Sequence, residues 1–210
     1  MENVVKNFDL VKEEISNFKN ANIVAVSKTF PISHILPLIN HGHYHFGENK
    51  VQEAQEKFKS INDPRVELHL IGPLQTNKVK MALKLFDYIH SLDSKKLADR
   101  ICKIQQELKI NKKLFIQVNI GNENQKSGLR KEEVLDFHDY CKNLGLDIIG
   151  LMCIPPINQD TRKYFEELNN LNKTLKLNDL SMGMSSDFLE AIENNATFIR
   201  IGSSIFGQRG

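Results

Sequence analysis

Eight short β-rich runs alternate with segments of helical spacing along this chain, and that alternation constrains its fold more than any other feature. The runs are Asn22–Ser27, His43–Gly47, Val66–Ile71, Tyr88–Leu92, Leu114–Asn119, Asp147–Met152, Leu180–Gly183 and Thr197–Ile201. Between them Val51–Ser60, Asn77–Phe86, Ser94–Leu108, Lys131–Asn143 and Asp160–Leu175 place apolar residues three and four positions apart, the mark of a helix with one buried face. Strand–helix alternation implies a parallel sheet covered by helices. Eight repeats point to an α/β fold closed into a single (β/α)8 barrel, an architecture of roughly 250 residues with a lower edge near 200. The 210 residues here suffice only for one such domain, spanning 1–210, with short connections. Only Gly202–Gly210 follow the eighth run, so the amphipathic segment Asn3–Phe18 is expected to complete the outer ring. An open doubly wound sheet is the structural alternative, and spacing does not separate the two.

Composition removes several function classes. Lys and Arg number 28 against 26 Asp and Glu, a formal charge of +2, which lacks the clustered cation that nucleic-acid binding needs. No apolar run approaches the roughly 18 residues of a membrane span, and the N-terminus has no apolar signal-peptide core. Cys102, Cys141 and Cys153 are scattered, without the spacing of a disulfide framework or a zinc site. A cytoplasmic, soluble monomer is expected. There is no Walker loop and no dinucleotide-binding glycine fingerprint.

In a barrel the active face is built at the C-terminal ends of the strands. Here those ends collect Ser27-Lys28-Thr29, Gly47-Glu48-Asn49, Gly72-Pro73-Leu74-Gln75, Asn119, Ile154-Pro155, Ser181 through Ser186, and Arg200 through Ser204. Lys28 directly follows an apolar run. Partial desolvation there lowers an amine's pKa and frees it to attack a carbonyl, although a strand-ending lysine can equally snorkel to water. Gly202-Ser203-Ser204, with Ser181 and Ser185 around the seventh strand, matches the usual phosphate position of this architecture: glycine admits an anion to backbone N–H groups, and hydroxyls add donors. Arg200 is expensive to bury unpaired, so it meets either a neighbouring carboxylate or a ligand. An amine for an aldehyde, a phosphate cradle and a polar partner for a ring nitrogen together describe pyridoxal 5′-phosphate (PLP).

Six motifs occur in order: AVSKT at Ala25–Thr29, FGEN at Phe46–Asn49, HLIGPLQTNK at His69–Lys78, KSGL at Lys126–Leu129, SMGMS at Ser181–Ser185 and RIGSSIFGQR at Arg200–Arg209. Together they resemble the pyridoxal phosphate homeostasis protein family, also called the proline synthetase co-transcribed family, across essentially the whole chain. The resemblance implies a barrel of the alanine racemase N-terminal type with an internal Schiff base at Lys28. It further implies that Arg200 faces the pyridine nitrogen, that Ser181, Gly202 and Ser203 hold the phosphate, and that Asn49 lies beside the ring. The family is regarded as a carrier or regulator of the vitamin B6 pool without established turnover, with PLP-dependent apoenzymes as possible recipients.

The other class to weigh is a small PLP-dependent racemase or decarboxylase. Racemisation needs an acid/base on each face of the substrate. In the racemases that resemble this chain, one of them is a tyrosine of a C-terminal β-domain, for which the chain length leaves no room. Tyr44, Tyr88, Tyr140 and Tyr164 fall in expected strands and helices instead. His41, His43 and His45 alternate as metal ligands on one strand face would. The ends of strands five, six and eight offer no histidine or aspartate to complete a site, so no metal is expected. His69 and His90 read as satisfied core or rim residues.

Overall fold

The computed structural model describes residues 2–18 and 20–208. Eight parallel strands close into a barrel in sequential order. They are β1 (Asn22–Val26), β2 (His45–Glu48), β3 (Glu67–Leu70), β4 (Tyr88–Leu92), β5 (Lys113–Val118), β6 (Ile148–Cys153), β7 (Asp179–Met184) and β8 (Phe198–Ile201). The first and last strands meet with Val24 opposite Arg200 and Ala25 opposite Ile201, so the sheet has no free edge. Closure decides against the open sheet.

Strand residues alternate between two apolar environments, as period-two geometry requires. Ile23, Ala25, Leu68, Leu70, Ile199 and Ile201 face outward into the layer beneath the helices. Val24, Tyr88, Phe115, Met152 and Phe198 point inward and fill the barrel as a separate cluster. Gly150 shows how tightly adjacent strands approach: a Cβ built there would lie 1.9 Å from the Asp179 carbonyl oxygen.

The covering helices are α1 (Glu2–Glu14), α2 (Ile32–Asn40), α3 (Val51–Phe58), α4 (Val79–Leu85), α5 (Lys95–Leu108), α6 (Val134–Asn143), α7 (Arg162–Thr174), α8 (Phe188–Glu193) and α9 (Ser203–Phe206). Helix α1 packs against α2 and the short α9, and the Asn7 amide donates to the Ile205 carbonyl at 3.1 Å. It thus occupies the place in the outer ring expected of the N-terminal segment, ending four residues earlier. Three covering helices, α2, α8 and the four-residue α9, lie outside the five segments and the N-terminal one read from the sequence. Helix α2 carries Pro37 in its interior, a residue that ordinarily breaks helices, and α8 spans six residues, too few to show a period. Among the described residues no helix is long and apolar enough to cross a membrane.

Substituting Gly150→Ala should force β6 and β7 apart and destabilise the fold by about 3 kcal/mol. Urea unfolding should show a lowered midpoint with an unchanged slope.

Candidate functional site

At the C-terminal mouth of the barrel lies a cavity of about 500 Å³. Its lining includes Val26, Lys28, Asn49, Ile71, Ser185, Arg200, Gly202 and Ser203. The alternation that turns Val24 and Phe198 into the barrel also turns Val26 and Arg200 upward into this cavity. The β8–β1 pairing then brings Lys28, two residues beyond β1, to the same opening as Gly202 and Ser203, which follow β8.

Lys28 sits on a clamped loop. Thr29, beside it, has φ 71°, a left-handed conformation unusual for a threonine, and its N–H donates to Glu53 Oε1 at 2.6 Å. On the other side the Ser27 hydroxyl donates to Glu48 Oε1 at 2.7 Å. Lys57 Nζ ties both together, donating to the Ser27 carbonyl at 2.8 Å, Glu48 Oε1 at 2.7 Å and Glu53 Oε1 at 3.2 Å. The Glu48 side chain is fully buried, which raises its pKa against the lowering effect of the Lys57 and Ser27 bonds. Asn49 is set by a close approach: a Cβ on Gly72 would lie 2.3 Å from the Asn49 carbonyl oxygen, so only glycine lets the β2 and β3 ends meet.

Arg200 is buried, and its salt-bridge alternative is not realised: among the described residues it makes no ion pair with a carboxylate. Nη1 donates to Ser181 Oγ at 2.7 Å and Nη2 to the Cys153 carbonyl at 2.8 Å, both neutral acceptors. Burial lowers its pKa, which the neighbouring Cys153 and Asp187 oppose. A guanidinium hydrogen-bonded only to neutral groups keeps its charge beneath the cavity, with Asp187 as a more distant counter-charge.

The family described as "Alanine racemase, N-terminal domain" matches residues 1–210. The pyridoxal phosphate homeostasis protein of Aquifex aeolicus (strain VF5) is 41% identical over 199 residues, covering 90% of this chain and 87% of the relative. That of Escherichia coli (strain K12) is 32% identical over 229 residues, covering 100% and 98%. The chain belongs to the pyridoxal phosphate homeostasis protein family. The structure of PipY of Synechococcus elongatus PCC7942 with PLP bound, 33% identical, aligns at a TM-score of 0.89 over 97% of this chain and 100% of that one. An alanine racemase of Clostridium difficile 630 shares the fold alone, at 13% identity and a TM-score of 0.81 over 57% of its length.

Within this family member, Lys28, Asn49, Ser185, Arg200, Gly202 and Ser203 converge on one cavity. Ser181, expected beside the phosphate, is not among the residues that line it. Ser181 is fully buried one layer below, because it faces the barrel interior from the third position of β7, and its hydroxyl is engaged by Arg200 and His90. Ser185 accepts from the Ser204 N–H at 3.3 Å and links the β7 loop to α9. Arg209, at the end of the last motif, lies outside the described residues.

The three alternating histidines do not share a strand face. His41 follows α2 and pairs with Asp9 at 2.7 Å, and His43 donates to the His45 carbonyl at 2.8 Å. Lys126 donates to the Pro155 carbonyl at 2.9 Å, tying the Gly121–Lys126 loop to the end of β6 without entering the cavity lining. The residues that sequence reading missed are Glu53 and Lys57. Their only signal is i,i+4 spacing on α3, which also describes an ordinary surface pair.

Replacing Lys57→Met leaves Glu48 buried without its cation and should cost about 3 to 5 kcal/mol near pH 7. The folded state would then hold a carboxyl whose pKa lies further above its unfolded value. It binds more protons than the unfolded chain, so stability falls as pH rises through that pKa and recovers in acid. Urea midpoints measured across pH check the sign.

Proposed function

We propose that this chain is a pyridoxal 5′-phosphate-binding protein of vitamin B6 homeostasis, one cofactor-binding domain over residues 1–210 that works as a cytoplasmic monomer. It holds PLP through a Schiff base to Lys28 and buffers the cofactor or delivers it to PLP-dependent apoenzymes, without turnover of its own. The observation that carries this reading is Arg200, a buried guanidinium with neutral partners, opening on a cavity shared with Lys28 and with the Gly202–Ser203 backbone.

The donor set fits the group. When bound, PLP supplies an aldehyde that condenses with an amine, an electron-withdrawing pyridine ring and a dianionic phosphate. Lys28 provides the amine. Gly202 and Ser203 offer backbone N–H groups and a hydroxyl to the phosphate, with Ser185 on the neighbouring loop. Asn49 lies at the cavity wall to meet the ring. Arg200 has donors only, so it disfavours a proton on a ring nitrogen facing it and weakens the ring as an electron sink. That arrangement suits retention better than carbanion chemistry. The lining supports the same reading: among the described residues it carries no histidine, tyrosine, cysteine or carboxylate beside Lys28, whereas racemisation needs an acid/base on each face of the substrate. This composition favours the carrier over the racemase or decarboxylase alternative.

Incubation with PLP followed by borohydride reduction should attach the cofactor to Lys28, located by peptide mass mapping, and Lys28→Ala should abolish the adduct. A lysine adduct of equal stoichiometry in Lys28→Ala would refute the assignment. Exchange of α-deuterium from a panel of amino acids should stay well below about 1 s⁻¹, the lower edge of ordinary enzymatic turnover. Faster exchange would favour the racemase.

A further inference from the structure

A chain of polar side chains crosses the barrel interior from the floor of the cavity to the opposite rim. Below Arg200, the Ser181 hydroxyl oxygen lies 2.8 Å from His90 Nδ1. His90 Nε2 is 3.0 Å from His69 Nδ1, and His69 Nε2 is 3.1 Å from His45 Nδ1. The chain thus passes through β8, β7, β4, β3 and β2 and ends at His45, the first residue of β2. Ser181, His90, His69 and Arg200 are buried, and His45 is half-buried.

The arginine sets the direction of every bond in this chain. A guanidinium only donates, so Ser181 Oγ accepts from it. Among the described residues the hydroxyl has no other partner than His90, so its proton points at His90 Nδ1. His90 must then carry its proton on Nε2 and donate to His69 Nδ1. His69 in turn carries its proton on Nε2 and donates to His45 Nδ1. One fixed donor thereby dictates two buried tautomers.

The rings sit where a neutral imidazole is favoured. His69 lies flat against Tyr88 at 4.1 Å and His90 against Phe115 at 4.4 Å. Burial holds both pKa values well below the ordinary histidine range. Neighbouring His90 and His45 lower that of His69 further, and the Arg200 charge does so for His90. The charged groups around the chain gather at its ends. Glu67, Asp87 and Lys113 act on His45, while Asp187 acts on Arg200 beside the Cys153 thiol, which burial pushes up to about 12 and keeps neutral. A cation site at the outer end is the competing use, since His45, Glu67 and His69 bring ligand atoms within 4.8 Å of one another. The Lys113 ammonium, bonded to the Tyr88 hydroxyl at 2.9 Å, already acts on both His45 and Glu67 and disfavours a second cation there.

We propose that Ser181, His90 and His69 are positioning residues for Arg200, a one-directional hydrogen-bond chain that fixes the guanidinium beneath the cofactor cavity and places no charged histidine behind it. The direction of the chain stands on the protein alone; its consequence for the cofactor rests on the function proposed above.

Nitrogen NMR of ¹⁵N-histidine-labelled, cofactor-free protein tests the direction first. His90 and His69 should both appear as neutral Nε2–H tautomers between about pH 6 and about pH 9. A proton on His90 Nδ1, or a charged ring, overturns the proposal. With PLP bound, His90→Leu should weaken cofactor retention about tenfold and displace the pH midpoint of its absorbance by about one unit. His90→Gln, which can accept from Ser181 and donate onward, should restore most of both. Equal behaviour of the Leu and Gln variants would show that His90 acts by packing alone and would also overturn the proposal. If His90→Leu does not fold, the wild-type tautomers still decide. If wild-type protein binds no PLP, the functional reading fails while the NMR result stands independently.

Discussion

A guanidinium in the wall of a closed barrel is the constraint to which the rest of the site answers. Arg200 cannot shed its charge at any ordinary pH, and isolating such a charge from water is expensive unless its hydrogen bonds are met. A carboxylate would satisfy it electrostatically and cancel its field. The chain instead supplies a hydroxyl and a carbonyl, so each terminal nitrogen has an acceptor while the charge persists at the cavity floor. The Ser181 hydroxyl must then find an acceptor, and the histidines of β4 and β3 extend that requirement across the interior.

The mouth of the barrel is organised by a second buried charge. Glu48 is enclosed at the end of β2, and Lys57 reaches from α3 to neutralise it. The same ammonium binds the Ser27 carbonyl, and its second carboxylate partner, Glu53, holds the Thr29 N–H. Lys28 is therefore flanked on both sides by bonded backbone. A nucleophilic amine on a four-carbon stem gains nothing from a rigid side chain, but it gains direction from a rigid base.

Much of the fold was legible along the chain because barrel strands are short, apolar and regularly spaced. The order of eight strands, the role of α1 and the concentration of polar residues at the C-terminal ends all follow from local pattern. What escaped has a local reason in each case. Helix α2 hid behind Pro37, and α8 was too short to be periodic. The depth of Ser181, expected at the phosphate from the family resemblance and its place around the seventh strand, is not visible in the SMGMS motif. Counting along β7 places the residue deeper than Ser185, on the inward face, where its hydroxyl accepts from Arg200.

By itself the sequence determined the eight strand–helix repeats and which polar residues gather at the strand ends, since strand periodicity and motif order are properties of neighbouring residues. Only the tertiary structure decided which polar groups share a bond. His45, His69, His90, Ser181 and Arg200 come from five different strands, and they meet because closure of the barrel turns one face of every strand toward a common axis. Whether Arg200 faced a carboxylate or a neutral hydroxyl depended on that meeting. No spacing in a linear chain records it, because hydrogen-bond partners across a barrel are chosen by distance in space.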